Sequence, residues 1–258
     1  IEVVCVAVAV LYACNAMSTT RNLMIKDTKS NSVEAGVNTS HIGTEVRGAN
    51  GREAEYNARV DAALVTDDIK TGIDGFGKMR DRKMFDANDD SFSEIAPMKN
   101  TVIGARLFHR PAFRSKLSLD FFNIREERNG GNKQDYPHHE RDISESVKHD
   151  MKTGALTYEQ YLRESDLLSV FASGQYLVRD SYYGANQDPS GYGISKDKTY
   201  NIGAQYKMDF DKSNLIAGVE HTGSHLTDKK LGYPDYENAV IGKAQDGVTD
   251  SIYSIPHK

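Results

Sequence analysis

The stretch YNIGAQYKMDF, Tyr200 to Phe210, decides the fold class. Tyr200, Ile202, Ala204, Tyr206, Met208 and Phe210 point one way; Asn201, Gly203, Gln205, Lys207 and Asp209 point the other. A period of two sustained over about ten residues is a β-strand with one apolar and one polar face. The same alternation recurs on both sides. Leu168, Val170, Ala172, Tyr176 and Val178 share a face, with Phe171 and Leu177 blurring the polar side. From Thr101 to Arg110, Ile103, Ala105 and Leu107 oppose Gly104, Arg106 and Arg110; Leu117, Leu119 and Phe121 oppose Ser118 and Asp120. In Thr153 to Leu162, Leu156, Tyr158 and Leu162 oppose Thr153, Thr157 and Glu159, and Leu215, Ala217 and Val219 oppose Gly218 and Glu220, with Ile216 as an exception.

With weaker strands near 33–42, 56–66 and 70–80, the pattern gives about nine strands and no sustained helical period. A soluble β-sandwich also has strands with one apolar face. Two features favour an up-and-down transmembrane barrel instead. Several strands run about ten residues, roughly what a tilted strand needs to cross a bilayer, where sandwich strands average about five or six. The connections also alternate in length. Short ones are expected at Thr66–Lys70, Pro111–Lys116, Glu164–Asp166 and Asp211–Asn214, and long ones at Met79–Lys99, Glu126–Asp150, Ser181–Lys198 and from Thr222 onward. Short turns at one rim and long loops at the other are the habit of outer-membrane barrels. Phe108, Phe113, Phe121, Phe122, Tyr158, Tyr161, Tyr182, Tyr183, Tyr206 and Phe210 fall near strand ends, as interfacial girdles would.

Composition agrees. The 258 residues carry a net charge of −5, with 14 Tyr and 9 Phe but no Trp. No basic run exists to neutralise phosphates, so nucleic acid is not an expected partner. No apolar run reaches the length of a transmembrane helix, and a mean hydropathy of −0.58 suits a barrel with polar lumen and loops. Cys5 and Cys14 fit no metal module.

The first residues, IEVVCVAVAVLYACNA, have two readings. Leu11-Tyr12-Ala13-Cys14 looks like a lipoprotein cleavage site, which would make the chain a secreted lipoprotein with a soluble β fold. A secretory signal should carry a basic n-region, whereas the first basic residue here is Arg21. The rival reading is that the segment lies in mid-protein. Ile1-Glu2-Val3-Val4, Leu11-Tyr12, Asn15-Ala16-Met17, Asn22 and Lys26 resemble the end of the plug domain of TonB-dependent receptors. In that family a strand of this type leads into an Arg-Gly-Pro turn, an LYG triplet and a Gly pair. Cys5-Val6-Ala7, Ala13 and Ser18-Thr19 stand in those places here, and Arg21 replaces an Ile. The lost glycines motivate a further alternative, a non-transporting surface binding module or a degenerate receptor remnant.

From Ser30 to about Tyr236 the chain resembles the first half of the barrel of Bacteroidetes-type TonB-dependent receptors, similar to those for ferric siderophores and cobalamin. The resemblance runs through Lys26 to Ser30, Phe92 to Ile95, Thr101 to Arg106, Leu119 to Phe122, Asn129 to Asn132, His139 to Ile143, Arg179 to Asn186 and Lys229 to Pro234. It implies residues 1–29 as the C-terminal end of a plug and 30–258 as the first about nine strands of a barrel of about 22. It therefore implies a fragment, placed in the cell outer membrane among its lipids. In the full-length protein it implies a TonB energy-coupling complex as partner and a small-molecule nutrient as cargo: ferric siderophore, cobalamin or similar.

Candidate sites lie in the expected long loops. Asp180 to Tyr192 carries Tyr182, Tyr183 and Tyr192 with the amides Asn186 and Gln187, amphipathic rings and donors suited to a bulky, partly polar ligand. Asp86, Asn88 and Asp90, followed by Glu94, place oxygens at alternate positions, as a calcium loop does; the Gly and Glu of an EF-hand loop are replaced by Ser91 and Pro97. Apart from that possible calcium, no cofactor is expected. His138-His139-Glu140 lacks a zinc-site spacing. No nucleophile elbow, P-loop or dinucleotide fingerprint is present, so an enzyme is not expected.

Overall fold

The computed structural model describes residues 2–6, 20–24, 28–44, 53–210, 213–230, 240–243 and 250–254. It is all-β, and its body is one antiparallel, up-and-down sheet of nine strands. These are β3 (Ser32–Ile42), β4 (Glu53–Val65), β5 (Thr71–Arg82), β6 (Met98–His109), β7 (Ser115–Gly131), β8 (Ile143–Tyr161), β9 (Leu167–Ala185), β10 (Tyr192–Phe210) and β11 (Ser213–Lys230). Each strand pairs with its sequence neighbours, and the sheet is not closed into a barrel. Two separate hairpins flank it: β1 (Glu2–Val6) with β2 (Thr20–Met24), and β12 (Val240–Lys243) with β13 (Asp250–Ser254). The expected strand at Ile1-Glu2-Val3-Val4 corresponds to β1; Leu11 to Cys14, Asn15 to Met17 and Tyr236 lie outside the described residues. No helix among the described residues is long and apolar enough to cross a membrane.

Cross-strand partners in an antiparallel pair share a face, so the register shows whether the separate alternations agree. They do. Leu64, Ile73, Leu107, Leu119, Leu156, Ala172 and Ile202 are successive partners from β4 to β10, a row of seven apolar side chains on one face. One residue along, on the other face, the partners read Ala63, Asp74, Arg106, Asp120, Ala155, Ser173 and Asn201. The apolar row starts beside the short turn at Leu64 and reaches His221, halfway along β11. The strands are thus staggered along the sheet.

The apolar side chains of this row are not packed against another layer. Leu64, Leu107, Leu119, Leu156 and Ile202 are all exposed. The aromatics on the polar face fill space over glycines instead. Phe76 and Phe122 lie with ring centroids 6.0 Å apart, and a Cβ at Gly104 would come within 2.6 Å of the first and 2.8 Å of the second. Phe108 is fully buried over Gly72, and Phe171, which blurs the polar side of β9, covers Gly203. Phe108 and Phe122 are therefore not girdle residues of the apolar face; Phe121, Tyr158, Tyr206 and Phe210 do share that face by register and alternation.

The alternation of connections holds, but the loops are shorter and the strands longer than expected. The long connections at 126–150 and 181–198 shrink to 132–142 and 186–191, because β7 runs to Gly131, β8 begins at Ile143, β9 runs to Ala185 and β10 begins at Tyr192. β8, β9 and β10 each have 19 residues, on the order of 60 Å of strand. The upper halves of β7 and β8 are joined by charge pairs across the ladder, Arg125 with Asp150 at 3.4 Å and Lys148 with Glu127 at 3.4 Å. A sequence polar on both faces loses the period-two signal without losing the strand.

Candidate functional site

The tips of the β7–β8 and β9–β10 hairpins meet. The backbone N–H of Asn186 donates to the carbonyl of Asp142 at 2.7 Å, and that of Gln187 to the carbonyl of Arg141 at 3.3 Å. Each tip contains a one-turn 3₁₀ segment, His138–Glu140 and Pro189–Gly191. Between them Tyr182 is buried. Its hydroxyl donates to the carbonyl of Asp188 at 2.7 Å, its ring stacks on His138 at 5.7 Å, and it meets Tyr192 at 4.7 Å between centroids. The Tyr192 hydroxyl in turn shares a 3.0 Å hydrogen bond with His139 Nδ1.

Beneath this cluster lies a cavity of about 600 Å³, bordered by Glu127, Ser146, Lys148, Asp180, Ile194 and Lys229 with the two tyrosines and His138. That is the size of a pocket for a small molecule. Tyr182, Tyr192 and Ile194 stand on the face that carries the apolar row lower down, since Tyr182 pairs with Tyr192 and Asp180 with Ile194. Tyr183 alternates to the polar face, where its hydroxyl accepts from Arg179 at 2.9 Å. Asn186 sits in the turn with φ 59°. The four expected ligand residues therefore do not converge: Tyr182 and Tyr192 form one cluster, Tyr183 lies on the other face, and Asn186 serves the turn.

His138 is half-buried and donates to or accepts from Ser144 Oγ at 3.1 Å. Burial, then the nearby Arg141, holds its pKa below the usual value. The folded state thus binds the proton less readily than the unfolded chain, so stability is full above the unfolded pKa of about 6.5 and is lost as pH falls from there through the lowered folded pKa. Near-ultraviolet circular dichroism of the tyrosines is expected to weaken on going from about pH 7.5 to 5, and His138→Phe is expected to abolish that dependence.

Sequence reasoning missed Arg141, which anchors the β7–β8 tip. It is 3% exposed, and its guanidinium donates to the carbonyl of Tyr136 at 2.8 Å, to Asn129 Oδ1 at 2.8 Å, and to Gln134 at its carbonyl (2.8 Å) and Oε1 (3.2 Å). Beside it, Gly131 has φ 110°, and a Cβ there would overlap the Ile143 carbonyl, which only glycine avoids.

The acidic loop is organised by its own backbone. Carboxylate oxygens of Asp86, Asp90 and Glu94 come within 4.8 Å of one another. Asp86 already accepts from the N–H groups of Asn88 (3.1 Å), Asp89 (2.7 Å) and Ser91 (2.7 Å), and Glu94 from that of Ala87 (2.7 Å). Asp90 accepts from the Phe92 N–H at 2.8 Å and the Asn88 amide at 3.0 Å. Slight burial pushes the Asp86 pKa up, and the backbone donors outweigh it, leaving the carboxyl below its usual range. These bonds account for the turn without an ion, and Asn88 spends its side chain on Asp90 rather than on a shared centre.

No protein-family model, curated protein or solved structure matches this chain.

Proposed function

We propose that the chain forms a wall of an outer-membrane β-barrel, that of a TonB-dependent receptor importing a scarce nutrient such as a ferric siderophore or cobalamin. The carrying observation is the pair of adjacent register rows. Seven successive strands present an exposed, charge-free row on one face, and the row one residue along on the other face is polar and carries Asp74, Arg106 and Asp120. A sheet wetted on both sides gains nothing from such a division, whereas a barrel wall between lipid and a polar lumen needs it. The family and the class of nutrient come from the sequence resemblance, and nothing in the fold chooses among nutrients. On this reading Tyr183 and Arg179 look into the lumen.

Leu156 and Thr157 are neighbours on opposite faces and test the membrane part. In lipid vesicles Leu156→Arg is expected to cost about 2–4 kcal/mol, and Thr157→Arg close to nothing. Urea unfolding followed by tyrosine fluorescence reads the difference; equal effects would sink the barrel reading. Uptake of labelled ferric siderophore and of cobalamin by cells with the gene deleted tests the transport part. Unchanged uptake of both, with ligand binding retained, would leave the non-transporting binding module in its place.

A further inference from the structure

The face that carries the apolar row changes character abruptly toward the long loops. The row Gly154, Gly174, Tyr200, Gly223 is still free of charge. The next row on the same face is Lys152, Tyr176, Lys198, His225, and the two after it are Asp150, Val178, Lys196, Thr227 and Lys148, Asp180, Ile194, Lys229, so the three rows hold five lysines against two carboxylates. These cations are scattered through the sequence and meet only because the register of β8 to β11 brings them level. Lys148 is paired with Glu127, but among the described residues no carboxylate pairs with Lys152, Lys196, Lys198 or Lys229. Lys198 lies instead over the Tyr176 ring, 5.8 Å from its centroid.

The depressions on this face have lysines and carboxylates on their borders, Asp150 or Asp180 in every one. The 600 Å³ cavity under Tyr182 and Tyr192 and two smaller depressions of about 300 and 270 Å³ all have Lys148 on their borders. We infer that this cationic, furrowed band is a binding surface for lipid headgroups that carry phosphate. The inference rests on the membrane reading above: if the apolar row is at hydrocarbon depth, the band that begins two rows higher is at headgroup depth. There unpaired lysines meet anionic headgroups, and the depressions admit them between the strands. The occupant is identified by its charge and by that continuity with the apolar row.

The test is flotation of the whole chain with vesicles of phosphatidylcholine, with and without phosphatidylglycerol. The chain is expected to float with both. Each lysine near an anionic surface favours partitioning by roughly fivefold, so with four of them the anionic vesicles are expected to bind roughly several hundredfold more tightly, with the excess falling as salt rises. The quadruple variant K152Q/K196Q/K198Q/K229Q is expected to keep its binding to neutral vesicles and lose the excess. Equal, salt-independent binding of the unmodified chain to both vesicles would overturn the inference alone, whether or not the variant folds. Retention of the full excess by the variant would also overturn it. Failure to float even with neutral vesicles would overturn the membrane reading and the inference with it.

Discussion

Arg141→Met is expected to loosen the joined hairpin tips at a cost of about 3–5 kcal/mol, more than any other single change in the loops. The guanidinium is almost wholly enclosed, yet it has no carboxylate partner in its four bonds: it donates to Tyr136, Asn129 and twice to Gln134. Methionine fills a similar volume but leaves those acceptors facing each other without a donor. Each unsatisfied buried acceptor costs about 1–3 kcal/mol, with some recovered by water at the rim. Arg141→Lys is expected to recover little, because one ammonium cannot present the planar fork that reaches three residues at once. Amide hydrogen exchange is the measurement. Fast exchange at Asn186 and Gln187, whose N–H groups are held by the Asp142 and Arg141 carbonyls, with the lower strands unchanged, is the expected outcome. Unchanged protection there would mean that the tip is held by the Tyr182 cluster alone.

The contrast between Arg141 and the apolar row marks what the sequence made legible. Alternation is a record of environment, and it survives wherever the two faces of a strand meet different surroundings. The alternations at 103–107, 117–121, 156–158, 168–172, 200–210 and 215–219 are each local, and the register puts the apolar residues of all of them on one face. Where both faces are polar the record vanishes. Glu126-Glu127 reads as a charged strand end, yet β7 continues through it to Gly131, with Glu126 bonded to Asn100 and Glu127 paired with Lys148. The expected loops at 126–150 and 181–198 were too long for that reason.

The candidate site was legible in residue type and less so in geometry. Tyr182 and Tyr192 were found because aromatic rings in a polar stretch stand out, but consecutive residues of a strand face opposite ways, so Tyr183 could not join them once β9 extended to Ala185. Arg141 gave no signal, since a buried arginine satisfied by carbonyls and amides looks in sequence like a solvated loop charge. The lysine band was hidden for a further reason: Lys152, Lys196, Lys198 and Lys229 become neighbours only through strand register, which no local window contains.

Arg106→Met is expected to destabilise the sheet by about 3–5 kcal/mol through its effect on Asp120. The two side chains face each other across β6 and β7 in a double hydrogen bond, Nε to Oδ1 at 2.6 Å and an Nη to Oδ2 at 2.9 Å, with side chains 19% and 8% exposed. Asp74 is the partner of Arg106 on β5, so the row runs acid, base, acid. Removing the base leaves the shielded Asp120 carboxylate without its cation. The double change Arg106→Met with Asp120→Leu removes the orphaned charge and is expected to recover most of the loss, since a well-packed apolar pair replaces a buried ion pair at little cost. Urea midpoints of the wild type, both single variants and the double variant separate the two accounts. If the double variant is no better than Arg106→Met, the arginine acts by packing over its neighbours and the ion pair is incidental. If it recovers, the charge on this face is retained for something other than stability. One residue along the same two strands, Leu107 faces Leu119 with no polar atom between them. On the barrel reading proposed above, a sheet that keeps a charged fork on one side and bare leucines on the other has each face suited to its own solvent.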